Sequence, residues 1–194
     1  MKRKTQKKNK IILSALELFS KQGFYNTTIV DIAKKIEISV GSMYNYFPSK
    51  KDLAKSSIKF VTKKLATELH YINNKKISEK EKIANFVKVY FILIQKHPEM
   101  IDYFFRVYLS NRELFCDEED CGFALAKDFI DEIEKLIANG IEHGEFKERN
   151  FYVTFSLISG ILGAMTFLNG EKVLEKNLNI YIDEITDMIY KALS

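Results

Sequence analysis

Apolar positions recur at three- and four-residue spacing along almost the whole chain, and nowhere do they alternate as a half-buried strand requires. Ile12, Ala15, Leu16 and Phe19 form the first stripe, and Gly23 then offers the left-handed residue that commonly ends a helix. That predicts a helix over 6–22. Thr28 and Asp31 stand at capping-box spacing and open a second helix, 29–36, with Ile29, Ile32, Ala33 and Ile36 on one face. Ser39 can cap a short third helix, VGSMYNYF, which Pro48 ends because proline disfavours helical geometry in the residue before it. Ser49 and Asp52 repeat the box and start a fourth helix reaching about residue 72.

Beyond Asn73-Asn74 the pattern predicts helices at 79–96, 98–109, 122–142, 150–168 and 172–193. The joints are His97-Pro98, the acidic run 117–120, the corner at Gly144-Glu145, and Asn169-Gly170. Two prolines and eight glycines in 194 residues leave few breaks, and 46% hydrophobic residues can fill a substantial core. The expected fold is all-α: an N-terminal three-helix domain over 1–48 and a larger helical domain over 49–194, with the helix from 49 linking them.

Charge sharpens this division. The formal net charge is only +4, yet residues 1–64 hold 15 Lys or Arg against Glu17, Asp31, Glu37 and Asp52. The head is therefore at +11 and the remainder at −7. A head of that sign is drawn to a polyanion and releases counterions on binding it. The basic N-terminus lacks an uninterrupted apolar stretch after it, so it does not read as a secretory signal, and a cytoplasmic location is expected. Residues 151–168 contain no charge and just reach the length of a membrane span. Their Thr, Ser and Gly content suits a helix clasped inside a soluble bundle better.

Two helices joined by a tight turn, the second short and serine-capped, are how a helix-turn-helix reads in sequence. The segment from Thr27 to Leu53, TTIVDIAKKIEISVGSMYNYFPSKKDL, closely resembles the DNA-binding segment of the TetR family of transcriptional regulators. It carries the threonine pair Thr27-Thr28, Gly41 early in the recognition helix, the run Met43-Tyr44-Asn45-Tyr46-Phe47, then Ser49-Lys50 and Leu53. It departs at the turn, where Ile36-Glu37-Ile38 stands in place of Ala-Gly-Val. The resemblance covers about 45 residues. It implies a dimer that binds double-stranded DNA at a palindrome and is released by a small molecule.

The residues support the same roles. Gly41 places no β-carbon between backbone and base edges. Tyr44, Tyr46 and Lys50 can donate to phosphate oxygens, while Val40 can touch a thymine methyl and Asn45 can pair with adenine beside Ser42. Met43 and Phe47 read as core. The candidate DNA-binding set is Thr27, Thr28, Ser39, Val40, Gly41, Ser42, Tyr44, Asn45, Tyr46 and Lys50.

Ten aromatics fall between residues 86 and 129. Many large flat side chains on three helices predict an irregular apolar cavity, with Phe86, Tyr90, Tyr103, Phe104, Tyr108 and Phe129 as candidate contacts for a hydrophobic or aromatic effector. Arg106 could orient an anionic end, although a surface ion pair suits it better. Dimerisation is expected through the last two helices, with Gly160 and Ala164 allowing close approach and Leu174, Leu178, Tyr181, Ile182, Ile185 and Ile189 as the partner stripe. Cys116 and Cys121 flank the acidic run, but His70, His97 and His143 are scattered, so no metal or cofactor is expected. No phosphate loop or triad spacing points to an enzyme. Two rivals stay open: an architectural DNA-binding protein without an effector, and a membrane-surface protein using its basic N-terminus.

Overall fold

A computed structural model describes residues 2–116 and 122–194, the side chains at 2, 3, 105 and 106 excepted. The acidic run and Cys121 lie outside the described residues, and Cys116 is exposed. Among the described residues every regular element is helical. The chain divides into two compact units, one gathering Met1–Thr62 with Pro98–Ala126 and the other Lys63–His97 with Lys127–Ser194.

The first unit contains α1 (Lys2–Asn26), α2 (Ile29–Lys35), α3 (Val40–Tyr44), the first half of α4 (Lys50–Asn73), α6 (Pro98–Tyr103), α7 (Arg112–Phe115) and α8 (Gly122–Leu125). Its core holds the predicted stripe, Ile12, Ala15, Leu16 and Phe19, together with Ile11, Ile32, Met43 and Leu53, all buried. Gly23 adopts φ 80° inside α1, a left-handed conformation that kinks the helix rather than ending it. The structure also breaks the helix expected over 98–109. After Tyr103 the backbone widens into a π-helical turn, Phe104–Tyr108, and then tightens to 3-10 geometry at Leu109–Asn111. In the wide turn the Phe104 and Tyr108 rings lie 5.0 Å apart at a 31° tilt, and Tyr108 meets Phe115 edge-on at 5.3 Å.

The second unit contains the rest of α4, α5 (Glu79–Lys96), α9 (Lys127–Glu142), α10 (Phe151–Gly170) and α11 (Ile182–Leu193). Ser78 and Glu81 form a full capping box at the start of α5, which then buries Ile83, Phe86, Val87 and Phe91. Gly140 is required by packing, because a β-carbon there would enter the ring of Phe146. Lys82 donates to the fully buried Glu79 at 2.6 Å, which keeps both charges paired inside. The helix expected from 172 starts only at Ile182. The Asn177 side chain accepts from the Asn179 amide and caps a 3-10 turn at Leu178–Tyr181, and the Tyr181 hydroxyl accepts from the Glu175 amide, so local bonds precede the α-helix.

Candidate DNA interface

The helix-turn-helix is built from backbone groups whose orphan donors and acceptors are satisfied at each end. Thr28 accepts from the Asp31 amide at 3.1 Å, and the Asp31 carboxylate accepts from both the amide and the hydroxyl of Thr28, at 2.9 and 2.7 Å. These bonds favour the ionised carboxylate and hold its pKa below the ordinary value for Asp. The box expected from sequence is therefore closed by Asp, one carbon shorter than the usual Glu.

At the other end of α2, the Ile38 amide donates to the Ala33 carbonyl at 3.0 Å and the Glu37 amide to the Lys34 carbonyl at 3.2 Å. This pair of bonds is a Schellman turn, which needs a left-handed residue at its corner. Glu37 supplies it at φ 58°, so the chain keeps the turn without the glycine. Ser39 then caps α3 by accepting from the Ser42 amide at 3.1 Å.

This scaffold fixes which side chains face out. Met43 and Phe47 are buried, as expected for core positions. Gly41, Tyr44 and Asn45 are exposed, Tyr44 at 50%, and Val40, Ser42 and Tyr46 are half-buried. A β-carbon built on Gly41 meets nothing within 4 Å, so no contact inside the protein demands glycine there. Thr28 and Ser39 are exposed but spend their oxygens on caps.

Two of the ten candidates take internal roles instead. Thr27 is fully buried, and its hydroxyl donates to the Gly23 carbonyl at 2.8 Å. Lys50 reaches back to the end of α1, donating at 2.8 Å to the carbonyls of both Phe24 and Thr27, with its ammonium 4.3 Å from the Phe24 ring centre. A cation placed on unsatisfied carbonyls at a helix end is favourable on dipole and hydrogen-bond grounds alike. Burial pulls the Lys50 pKa below the ordinary lysine value. Its ammonium is a brace for the end of α1. Sequence reasoning passed over Tyr25 and Val30, exposed at 65% and 57% on either side of the Thr28 cap. For Val30 the signal was available, since it lies off the Ile29–Ile32–Ala33–Ile36 stripe.

The six aromatics offered as effector contacts are divided between the two units. Tyr103, Phe104 and Tyr108 belong to the first unit, and Phe86, Tyr90 and Phe129 to the second. Tyr103 is fully buried against Phe19, with its hydroxyl donating to the Ala54 carbonyl at 2.9 Å, and burial raises its pKa well above the tyrosine value. Tyr90 is buried with its hydroxyl 2.7 Å from that of Thr166, and its pKa is pushed up to about 12 by desolvation. Phe86 packs on the half-buried Phe129 at 6.0 Å. Three surface hollows of about 270, 520 and 390 Å³ are lined by other residues. Of the residues expected as the partner stripe, Leu178, Ile185 and Ile189 are core of the second unit, while Leu174, Tyr181 and Ile182 are half-buried.

Comparison with known proteins places this architecture. Residues 11–56 match the family described as bacterial regulatory proteins, tetR family. Over 149 residues the chain is 27% identical to the fatty acid metabolism regulator protein of Bacillus subtilis, an alignment spanning 76% of this chain and 75% of that one. Over 52 residues it is 46% identical to IcaR, the negative transcriptional regulator of the biofilm operon icaADBC in Staphylococcus aureus, covering 27% of this chain and 28% of that one. The chain spans only 33% and 24% of the length of two further regulators, from Bacillus subtilis and Aromatoleum. The crystal structure of the regulator FadR from Bacillus subtilis, in complex with stearoyl-CoA, shares the fold with a TM-score of 0.80 at 20% identity, over 95% of this chain and 98% of that one. Residues 11–56 thus carry the helix-turn-helix of the tetR family of bacterial regulatory proteins, and the chain shares the fold of the solved FadR regulator along 95% of its length.

Proposed function

We propose that the protein is a cytoplasmic transcriptional repressor that binds a palindromic operator as a homodimer and releases it when an apolar small molecule binds. The observation that carries this reading is the outward array of Gly41, Tyr44 and Asn45 on a helix held by the caps at Thr28, Glu37 and Ser39. Asn45 with Val40 and Ser42 reads bases, Tyr44 and Tyr46 position the backbone, and Gly41 allows close approach. Repression follows the role of IcaR as a negative regulator, and an apolar effector follows the stearoyl-CoA held by FadR. Phe86, Tyr90 and Phe129 remain the candidate contacts within the second unit. The function is binding, with no catalytic step.

The dimer reading rests on α10. Its Val153, Ser156, Gly160, Ala164 and Phe167 recur at helical spacing and are all exposed, with Phe167 at 66%. α10 is long and apolar enough to cross a bilayer, but three small residues in the middle of this stripe suit a second helix better than lipid. A β-carbon at Gly160 meets nothing within 4 Å, so Gly160→Leu points added bulk at the exposed stripe, where a partner helix would meet it. It is expected to shift the species seen by sedimentation from dimer to monomer; an unchanged dimer places the interface elsewhere.

Selection of bound sequences from random duplex DNA tests the main reading. The expected result is an enriched pseudo-palindrome with half-sites at least one helical turn apart. Retention without enrichment would favour the architectural rival.

A further inference from the structure

The basic N-terminus is the one strong sequence signal that the helix-turn-helix leaves unused. In the structure it is the first part of α1, continuous with the helix that carries the core of the head. Lys7, Lys8 and Lys10 are exposed on it, and the sequence holds no acid before Glu17. Glu17 is engaged elsewhere, with Lys21 and Lys35 each 2.9 Å from one of its oxygens.

Where these lysines lie decides what they can do. The Lys8 ammonium stands 5.3 Å from the ring centre of Phe47, two residues beyond Asn45. Lys7 and Lys10, with Gln6, line a hollow of about 390 Å³ whose other wall is Ile36 and Ile38. The start of α1 therefore adjoins both the end of the recognition segment and the turn that precedes it. Glu37, the acid between those two isoleucines in sequence, is exposed on the turn and does not line the hollow.

A helix lying in the major groove has a phosphate strand on each wall of that groove. Ammonium groups standing beside the recognition segment, on the same head, meet that strand. We infer that Lys7, Lys8 and Lys10 form a second, sequence-independent phosphate clamp that grips the operator backbone beside the recognition helix. The inference rests on the proposed operator binding. It assigns α1 the phosphate-gripping role that Lys50, braced on the end of α1, does not fill.

The test is the salt dependence of binding to the selected operator, measured for the wild type and for Lys7→Ala/Lys8→Ala/Lys10→Ala. Each phosphate contact contributes roughly 0.9 to the slope of log K against log salt. Three contacts in each of two protomers therefore lower the slope by about five, and one contact in each by about two. Base preference on reselection is expected to be unchanged. Alanine is the better helix former, so the variant keeps its helix, and the matching triple Lys→Arg variant is expected to restore the slope. A slope equal to the wild type's overturns the clamp while leaving operator binding intact. So does a variant that loses only its affinity for anionic phospholipid vesicles, which would assign the lysines to a membrane surface. A wild-type protein that selects no operator overturns the underlying reading and the clamp with it.

Discussion

Tyr44 on the recognition helix is half exposed, whereas Tyr103 at the end of α6 is fully buried with its hydroxyl on the Ala54 carbonyl. The contrast extends to their neighbourhoods. Around Tyr44 the chain is held by bonds between residues three to five apart, so its shape is set locally and its outward face is left for a partner. Around Tyr103 the contacts join residues 49 and 84 positions apart, and the aromatic surface is used up in closing the core. Aromatic content alone therefore says nothing about binding; what matters is whether local capping or distant packing holds the side chain.

The largest effect should come from substituting alanine at these two tyrosines. Tyr103→Ala removes a buried ring and is expected to lower stability by about 3 to 5 kcal/mol in urea unfolding. Tyr44→Ala should change stability by less than about 0.5 kcal/mol and weaken operator binding roughly tenfold or more, as for a lost hydrogen bond to a charged oxygen. If Tyr44→Ala unfolded the protein and Tyr103→Ala did not, the division into locally held surface and distantly packed core would be wrong.

A middle-sized effect separates brace from contact. Lys50→Ala removes two charge-assisted bonds to carbonyls at the end of α1 and the contact with the Phe24 ring. About 2 kcal/mol of stability should go with them, while the salt slope of operator binding stays at the wild-type value. A flattened slope with unchanged stability would return Lys50 to the phosphate backbone.

The same contrast explains what could be read from the chain. Thr28 with Asp31, Ser39 and Ser49 with Asp52 are short-range signals, and the structure closes a cap at each. α5 and α10 fall within a residue or two of their expected bounds because their apolar periodicity is long and uninterrupted. Lys50 was misread because its partners lie 26 and 23 residues back, a distance that periodicity does not encode. The division of the aromatics between the two units was hidden for the same reason, since density in sequence does not say which unit a ring joins. The π-helical turn at Phe104–Tyr108 and the late start of α11 depend on particular side-chain bonds and stacking, which leave a helical stripe in the sequence intact.

The smallest effect probes the turn where this chain departs from the family pattern. Glu37 holds φ 58° at the corner of the Schellman turn, a conformation that costs a residue with a β-carbon about 1 to 2 kcal/mol. Glycine adopts it freely but loses roughly 0.5 to 1 kcal/mol more conformational entropy on folding. Glu37→Gly is therefore expected to gain about 0.5 to 1 kcal/mol, seen as a higher urea midpoint at unchanged slope. Glu37→Gln keeps the β-carbon and removes only the charge, so it should leave the midpoint where it was. Both substitutions remove an exposed carboxylate from the turn that precedes the recognition helix, and both should tighten operator binding slightly at low salt. Equal stabilisation by Gln and Gly would trace the cost of Glu37 to its charge, and the turn would then be as relaxed as the caps on either side of it.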